Sequence, residues 1–234
     1  MMSFWLRSAR VATTLVISAS VRSPNIRTLA LAAGWNGTSA LTVIINSGVD
    51  VASLNIAVAN VPHDTLTIIN NGRIGGVVNS GDAITTTSRI KIINNGTIFG
   101  GGGQGGTGQT VDVWYNVNDS ATSGWGGNGG QGAGFSASGT VTMLAAASGQ
   151  AGSSATYSGP VFAPDTPPTA YGGSGGAGGP IGGAGVQGAY GSYSGTVRKT
   201  SSSGPAAGMA AGRYIVGNSL VTWLSNGTRL GNVA

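Results

Sequence analysis

Lys91-Ile92-Ile93-Asn94-Asn95-Gly96-Thr97-Ile98-Phe99-Gly100-Gly101-Gly102-Gly103 carries the chain from one kind of sequence into another. Its first half is a β-branched run closed by a turn step, the pattern of a buried strand followed by a reversal. The same pattern stands upstream as Thr67-Ile68-Ile69-Asn70-Asn71-Gly72 and as Val43-Ile44-Ile45-Asn46-Ser47-Gly48. Asn46, Asn70 and Asn94 follow one another at 24 residues in both steps. A fixed period of that length indicates stacked β units, as in a β-helix or β-prism. Each Asn-x-Gly step is expected to supply positive φ and turn the chain. Val49, Ile74 and Ile98 then open the next strands. A looser fourth copy, Val221-Thr222-Trp223-Leu224-Ser225-Asn226-Gly227-Thr228, lies near the C-terminal end. A β-repeat unit is therefore expected over 1–99, completed by 219–234, with the chain leaving near Gly100 and returning near Ser219.

The second half of the stretch opens a glycine-rich segment, 100–218. Its glycines fall in blocks at 100–106, 126–132, 172–180 and 182–191, and in the later three glycine recurs every third residue. Three is the period of polyproline II. Glycine along one edge of such a helix bares the backbone, so several helices can pack and hydrogen-bond through their N–H and C=O groups. Collagen does not fit, because the blocks are short, interrupted and poor in proline. A flexible Gly/Ser linker is the competing reading. Against it stand the phasing of the glycines and the aromatic residues between the blocks.

Composition agrees with an all-β chain. Of 234 residues 44 are glycine and 7% are charged; there is no cysteine. The acidic residues are all Asp, and lysine is limited to Lys91 and Lys199. Long charged helix formers are nearly missing while Val, Ile, Thr and Asn abound, so strands and turns are favoured and essentially no α-helix is expected. Disulfides and thiolate metal sites are excluded. The net charge of +5 comes from dispersed residues, which argues against nucleic acid and suits an anionic cell surface. The run Val11–Val21 follows Arg7 and Arg10 in the order of a signal peptide, but its hydroxyl and β-branched residues read better as a strand. No stretch approaches the ~20 apolar residues of a membrane span, and no membrane insertion is expected.

Chemistry finds little footing. His63 is the only histidine, set between Pro62 and Asp64 in a turn, and no nucleophile-elbow sequence accompanies it. Six Asp offer no evident acid/base pair. Gly105–Asp112 lacks the spacing and repetition of a calcium nonapeptide. No helix follows the Gly-x-Gly strings, so phosphate loops are excluded. No enzyme, cofactor or metal is expected.

The segments between glycine blocks have the composition of recognition loops: Trp114, Tyr115, Asn116, Asp119, Trp125, Tyr157, Phe162, Asp165, Tyr171, Tyr190 and Tyr193. Tyr and Trp give contact area at low entropic cost, and Asn and Asp give adaptable hydrogen bonds. Two readings fit these rings: exposed contacts for a receptor, or caps over the ends of the glycine helices.

The string Ile92–Ile98 running into Gly100–Gly106, the later glycine blocks, and the closing Gly217-Asn218-Ser219-Leu220-Val221-Thr222-Trp223-Leu224 resemble glycine-rich receptor-binding adhesins of bacteriophage tails. The likeness is to those that cap T-even-type long tail fibres and to glycine-rich tail-tip proteins of siphophages. It covers most of 40–234; the first 30 residues do not match. The resemblance implies a polyproline II sandwich whose intervening loops meet a host cell-surface receptor, an outer-membrane protein or polysaccharide. It implies a β-domain docked on a tail-fibre or tail-tip protein, with Phe4, Trp5 and Leu6 as an apolar plug, in the virion at the distal end of the tail. A homotrimer or a single copy on a trimeric fibre would each cover the exposed β-edges. The competing classes are a structural tail-tip or decoration protein and a secreted bacterial surface protein.

Overall fold

A computed structural model describes residues 12–234. Phe4, Trp5 and Leu6 lie outside the described residues. The chain first builds a stack of β rungs. β1 (Thr13–Ile17) and β2 (Val21–Arg22) form the first rung. A short helix, α1 (Ile26–Ala32), follows where a third strand would stand. Asn25 caps it, its Oδ1 accepting from the Thr28 N–H at 3.0 Å, and Ile26 and Ala30 point into the core. The second rung holds β3 (Leu41–Ile45), β4 (Asp50–Ala52) and β5 (Leu54–Ile56). The third holds β6 (Leu66–Asn70), β7 (Arg73–Gly75) and β8 (Ile84–Thr86). The fourth opens with β9 (Ile90–Asn94) and β10 (Thr97–Phe99).

All pairing between rungs is parallel. Leu41, Val43 and Ile45 stand over Leu66, Ile68 and Asn70, and Ile68 and Asn70 over Ile92 and Asn94. Alternate residues of each strand point inward, and the inward Leu, Ile and Val residues are almost fully buried in one continuous core.

The register corrects the sequence reading in two respects. Ile45, not Asn46, stands over Asn70, so the first interval is one residue longer than the second. Gly72 and Gly96 are also not positive-φ turn residues; of the three repeat glycines only Gly48 is, at φ 76°. A Cβ on Gly72 would meet the Val49 and Asn46 carbonyls, and one on Gly96 the Gly72 carbonyl. These two glycines are required for close rung-to-rung approach. The asparagines beside them are fully buried strand ends: Asn70 Nδ2 donates to Asn94 Oδ1 at 2.8 Å, and Asn94 Nδ2 to the Asn226 carbonyl at 2.9 Å.

At Gly100 the chain leaves the stack for six extended runs with no regular strand or helix: 101–110, 125–133, 147–153, 172–180, 182–191 and 204–212. Most of their backbone hydrogen bonds reach other runs and recur every third residue. The N–H groups of Gly102, Gly105 and Gly108 donate to the carbonyls of Ala133, Gly130 and Gly127. Those of Gly127, Gly130 and Ala133 donate to Gly173, Gly176 and Gly179, which in turn donate to Gln109, Gly106 and Gly103. This is a polyproline II lattice in which bare backbones satisfy one another. Runs 101–110 and 172–180 lie at its centre, each bonded to four neighbours.

Four runs are the glycine blocks of the sequence. The other two, 147–153 and 204–212, carry few glycines because each touches only two neighbours. One bare position in three then suffices, as at Gly149, Gly152 and Gly208.

Successive runs alternate in direction, so the connections alternate between two ends. At the stack end, β13 (Gly134–Phe135) and β14 (Met143–Leu144) form a hairpin beneath the lattice. Phe135 packs on Phe99 with ring centroids 5.1 Å apart, and Arg22 hydrogen-bonds Ser136. At the far end lie three further connections. The first carries β11 (Val111–Trp114) and β12 (Thr122–Gly124). The second carries β15 (Ser154–Thr156) and β16 (Thr169–Tyr171), and the third β17 (Ser192–Ser194) and β18 (Lys199–Ser202).

The chain rejoins the stack through β19 (Arg213–Val216), which lies on β8 and fills the third side of the interrupted fourth rung. The return therefore comes before Ser219, because Ile215 is needed in the core. β20 (Val221–Ser225), β21 (Thr228–Leu230) and β22 (Asn232–Val233) complete a fifth rung. The described residues are all-β, 34% strand and 4% helical, with α1 their one α-helix, as the expectation of essentially no α-helix requires. Among the described residues no helix is long and apolar enough to cross a membrane.

Candidate functional site: the loop tip of the glycine lattice

The loops 111–124, 154–170 and 192–203 share one end of the lattice, opposite the strand stack. Two small sheets frame them. β11 is central in one, between β12 and β18; β16 is central in the other, between β15 and β17. Val111, Val113 and Ala170 form a buried core between the sheets. The sequence Val111-Asp112-Val113-Trp114 turns its two valines to one face and Asp112 and Trp114 to the other, which gives this strand one buried and one half-buried face.

Side chains far apart in sequence then tie the loops together. The Tyr115 hydroxyl accepts from the Phe162 N–H at 3.1 Å and donates to Asp165 Oδ2 at 3.1 Å. The Tyr157 hydroxyl donates to Asp119 Oδ2 at 2.8 Å, and the two tyrosine rings lie 5.6 Å apart. Hydrogen bonding to the Asp119 carboxylate raises the Tyr157 pKa above the usual tyrosine value, because the neutral phenol is the donor. Arg198 Nη2 donates to Asp165 Oδ2 at 2.9 Å, bringing the third loop into the network.

The predicted residues thus separate into two groups. Tyr115, Asp119, Tyr157 and Asp165 form the frame: Tyr115 is buried and the other three are half-buried. Trp114 is half-buried with the Lys199 ammonium 4.6 Å from its ring centroid. The remaining aromatics are exposed, with Phe162 at 73%, Tyr190 at 73%, Trp125 at 65%, Tyr193 at 54% and Tyr171 at 42%. Trp125, Tyr171 and Tyr190 stand where runs meet loops, and Asn116 is exposed in a turn closed by the Asp119 N–H on its carbonyl at 3.0 Å.

Two depressions open among these loops. One, of about 410 Å³, is lined by Tyr115, Asn116, Val117, Phe162 and Arg198. Val117 and Arg198 were not among the residues singled out from the sequence. Arg198-Lys199 is the only basic pair between Gly100 and Gly212, and that isolation was the available signal. The other, of about 280 Å³, lies between β17 and β18 and is lined chiefly by hydroxyl residues.

The arrangement offers rigid exposed rings and uncommitted polar groups, the composition of a binding surface. Among the described residues no three metal-ligating side chains come together. His63 stands on the stack with its Nδ1 accepting the Arg89 N–H at 2.9 Å, remote from the tip in the fold.

A family model for the phage tail fibre adhesin Gp38 matches residues 12–234. Among solved structures, the gp37-gp38 adhesin tip complex of the bacteriophage S16 long tail fibre is similar, with TM-score 0.46 and 23% identity over 95% of this chain and 82% of that one. No curated protein matches the chain. The family match runs from the first rung to the last residue, and this chain belongs to the phage tail fibre adhesin Gp38 family.

Proposed function

We propose that this tail-fibre adhesin binds a host cell-surface receptor, an outer-membrane protein or polysaccharide, through its loop tip. The strand stack, 12–99 with 213–234, is the unit that docks on a tail-fibre or tail-tip protein, and the lattice holds the tip away from it. One observation carries this reading: the connections 111–124, 154–171 and 192–203 gather at the end of the lattice away from the stack, where they and the adjoining run ends display Phe162, Val117, Trp125, Tyr190 and Tyr193 to solvent. Exposing that much apolar area on a hydrogen-bonded frame is unfavourable for a free protein and favourable for one that meets a partner. The stack end supplies a complementary feature. Among the described residues the fifth rung leaves the outer edges of β20 and β21 unpaired and Leu224 56% exposed, a surface that a β-structured fibre end would cover. Phe4, Trp5 and Leu6 are a second candidate contact with the fibre.

Competition tests the reading. Excess purified chain is expected to slow adsorption of the parent phage to its host in a saturable way. A folded chain that leaves adsorption unchanged would contradict it and favour a structural role at the tail tip.

A further inference from the structure

The two depressions at the tip differ in chemistry. In the first, the Tyr115 hydroxyl and the Arg198 guanidinium of the lining are already committed to Asp165 behind it, and Val117 and Phe162 leave much of the rest apolar. In the second, the lining consists of Gln109, Ser192, Tyr193, Thr200, Ser201 and Ser202 around Val111 and Gly191, with no charged side chain.

Among the described residues none of the hydroxyls of Ser192, Tyr193, Thr200, Ser201 or Ser202 is bonded to another protein group. Gln109 is fixed by the Gly191 N–H on its Oε1 at 2.8 Å, which leaves its NH2 as the free end. The slot is flanked by β17 and β18, which are neighbours in sequence yet edge strands of different sheets. Each therefore directs alternate backbone N–H and C=O groups away from its own sheet.

We infer that the slot between β17 and β18 is a subsite for a neutral sugar residue, a reading that rests on the tip being the receptor-binding end. Serine and threonine hydroxyls donate and accept, so a cluster of them matches a ring of sugar hydroxyls whichever way each one points. The half-exposed Tyr193 ring supplies the apolar surface on which the C–H face of a pyranose stacks. Absence of charge in the lining disfavours phosphate and uronate groups and leaves neutral hexoses and N-acetylhexosamines. The volume of about 280 Å³ lies just under the ~300 Å³ lower end of ordinary ligand pockets, so it admits one ring. An extended peptide on these strand edges would need a groove along both strands, which a slot of this size does not provide.

Saturation-transfer NMR on the full chain, with glucose, galactose and N-acetylglucosamine each at millimolar concentration, tests the inference. At least one sugar is expected to receive saturation at its ring protons, with a dissociation constant of about 1 mM, as suits a single small ligand. Tyr193→Ala is expected to weaken that binding at least tenfold, and so is the double change Thr200→Ala with Ser201→Ala, both at unchanged melting temperature. Ser148→Ala, exposed on the lattice and outside both depressions, is expected to leave it unchanged. No transfer from any of the three sugars, or transfer that survives both slot variants, would overturn the subsite. Saturable cell binding without sugar transfer would defeat the subsite alone. Sugar transfer by a chain that binds no host cells would uphold it and defeat the receptor reading instead.

Discussion

The strand stack and the glycine lattice are both periodic, yet they are held together in opposite ways. In the stack, inward Leu, Ile and Val residues fill a continuous core, and the repeat specifies which side chains are present. In the lattice there is no core of that kind. Its cohesion is backbone against backbone, and the three-residue repeat specifies where side chains are absent. A core accommodates a missing methylene at modest cost. A bare backbone contact cannot accommodate an added one, because the obstacle is another carbonyl. Beyond the lattice the tip loops bear neither periodic constraint, so the side chains outside their frame are free to serve recognition.

The contrast can be broken most severely at Gly105, at the centre of the lattice. A Cβ there would overlap the Gly176 carbonyl, and no flexible side chain can move aside. Gly105→Ala is expected to destabilise the chain by about 3 kcal/mol or more, measured by denaturant unfolding. Ser148→Ala, solvent-facing on the same lattice, should stay within about 0.5 kcal/mol. In the stack, Asn70→Ala removes one member of a buried amide ladder and leaves the Asn94 Oδ1 without its donor. A loss of about 2 kcal/mol is expected, since a buried acceptor is left unsatisfied. Ile92→Val, the loss of one buried methylene in the core, should cost only about 1 kcal/mol by the same assay. A result equal to that of Gly105→Ala would erase the distinction between the two regions.

The smallest expected effect is at the tip. The folded-state pKa of Tyr157 is raised by its hydrogen bond to Asp119. The stability this bond contributes is therefore fully present below the ordinary tyrosine pKa of ~10 and is lost as pH rises through the higher folded value. Ultraviolet titration should show a late-ionising phenol that is missing in Tyr157→Phe. Host binding by the parent chain should weaken over the same alkaline window.

Much of the stack was legible in the sequence. The recurrent Ile-Ile-Asn-Asn-Gly string and its looser C-terminal copy mark four of the five rungs, because a solenoid core demands the same residues at the same interval. The strand of the first rung was legible in the run Val11–Val21, though not as a copy of the repeat, and α1 was not legible. Asn25 is a good N-cap, but Ile26-Arg27-Thr28-Leu29-Ala30 is a single short turn pattern in a chain otherwise poor in helix formers. The role of Gly72 and Gly96 was misread because a glycine required for close approach looks the same in sequence as one required for positive φ.

In the lattice the glycine-dense runs were legible, while 147–153 and 204–212 were not, since a run at the margin needs few glycines. The gathering of the loops at one end has no local signal at all. It follows from the alternating direction of runs that pair across tens of residues. The same holds for the tip frame: Tyr115 with Asp165 and Tyr157 with Asp119 are 50 and 38 residues apart. Composition identified those four residues as special without revealing that they hold the tip in shape.

The account stands on recognition at the loop tip and docking at the stack. The most direct measurement is saturable binding of labelled chain to host cells for the parent, for Phe162→Asp with Val117→Asp at the tip, and for Leu224→Asp on the fifth rung. With melting temperatures matched, the tip variant is expected to lose at least tenfold in affinity while the stack variant binds as the parent does. Undiminished binding by the tip variant together with loss in the stack variant would contradict the account and move recognition to the opposite end of the molecule.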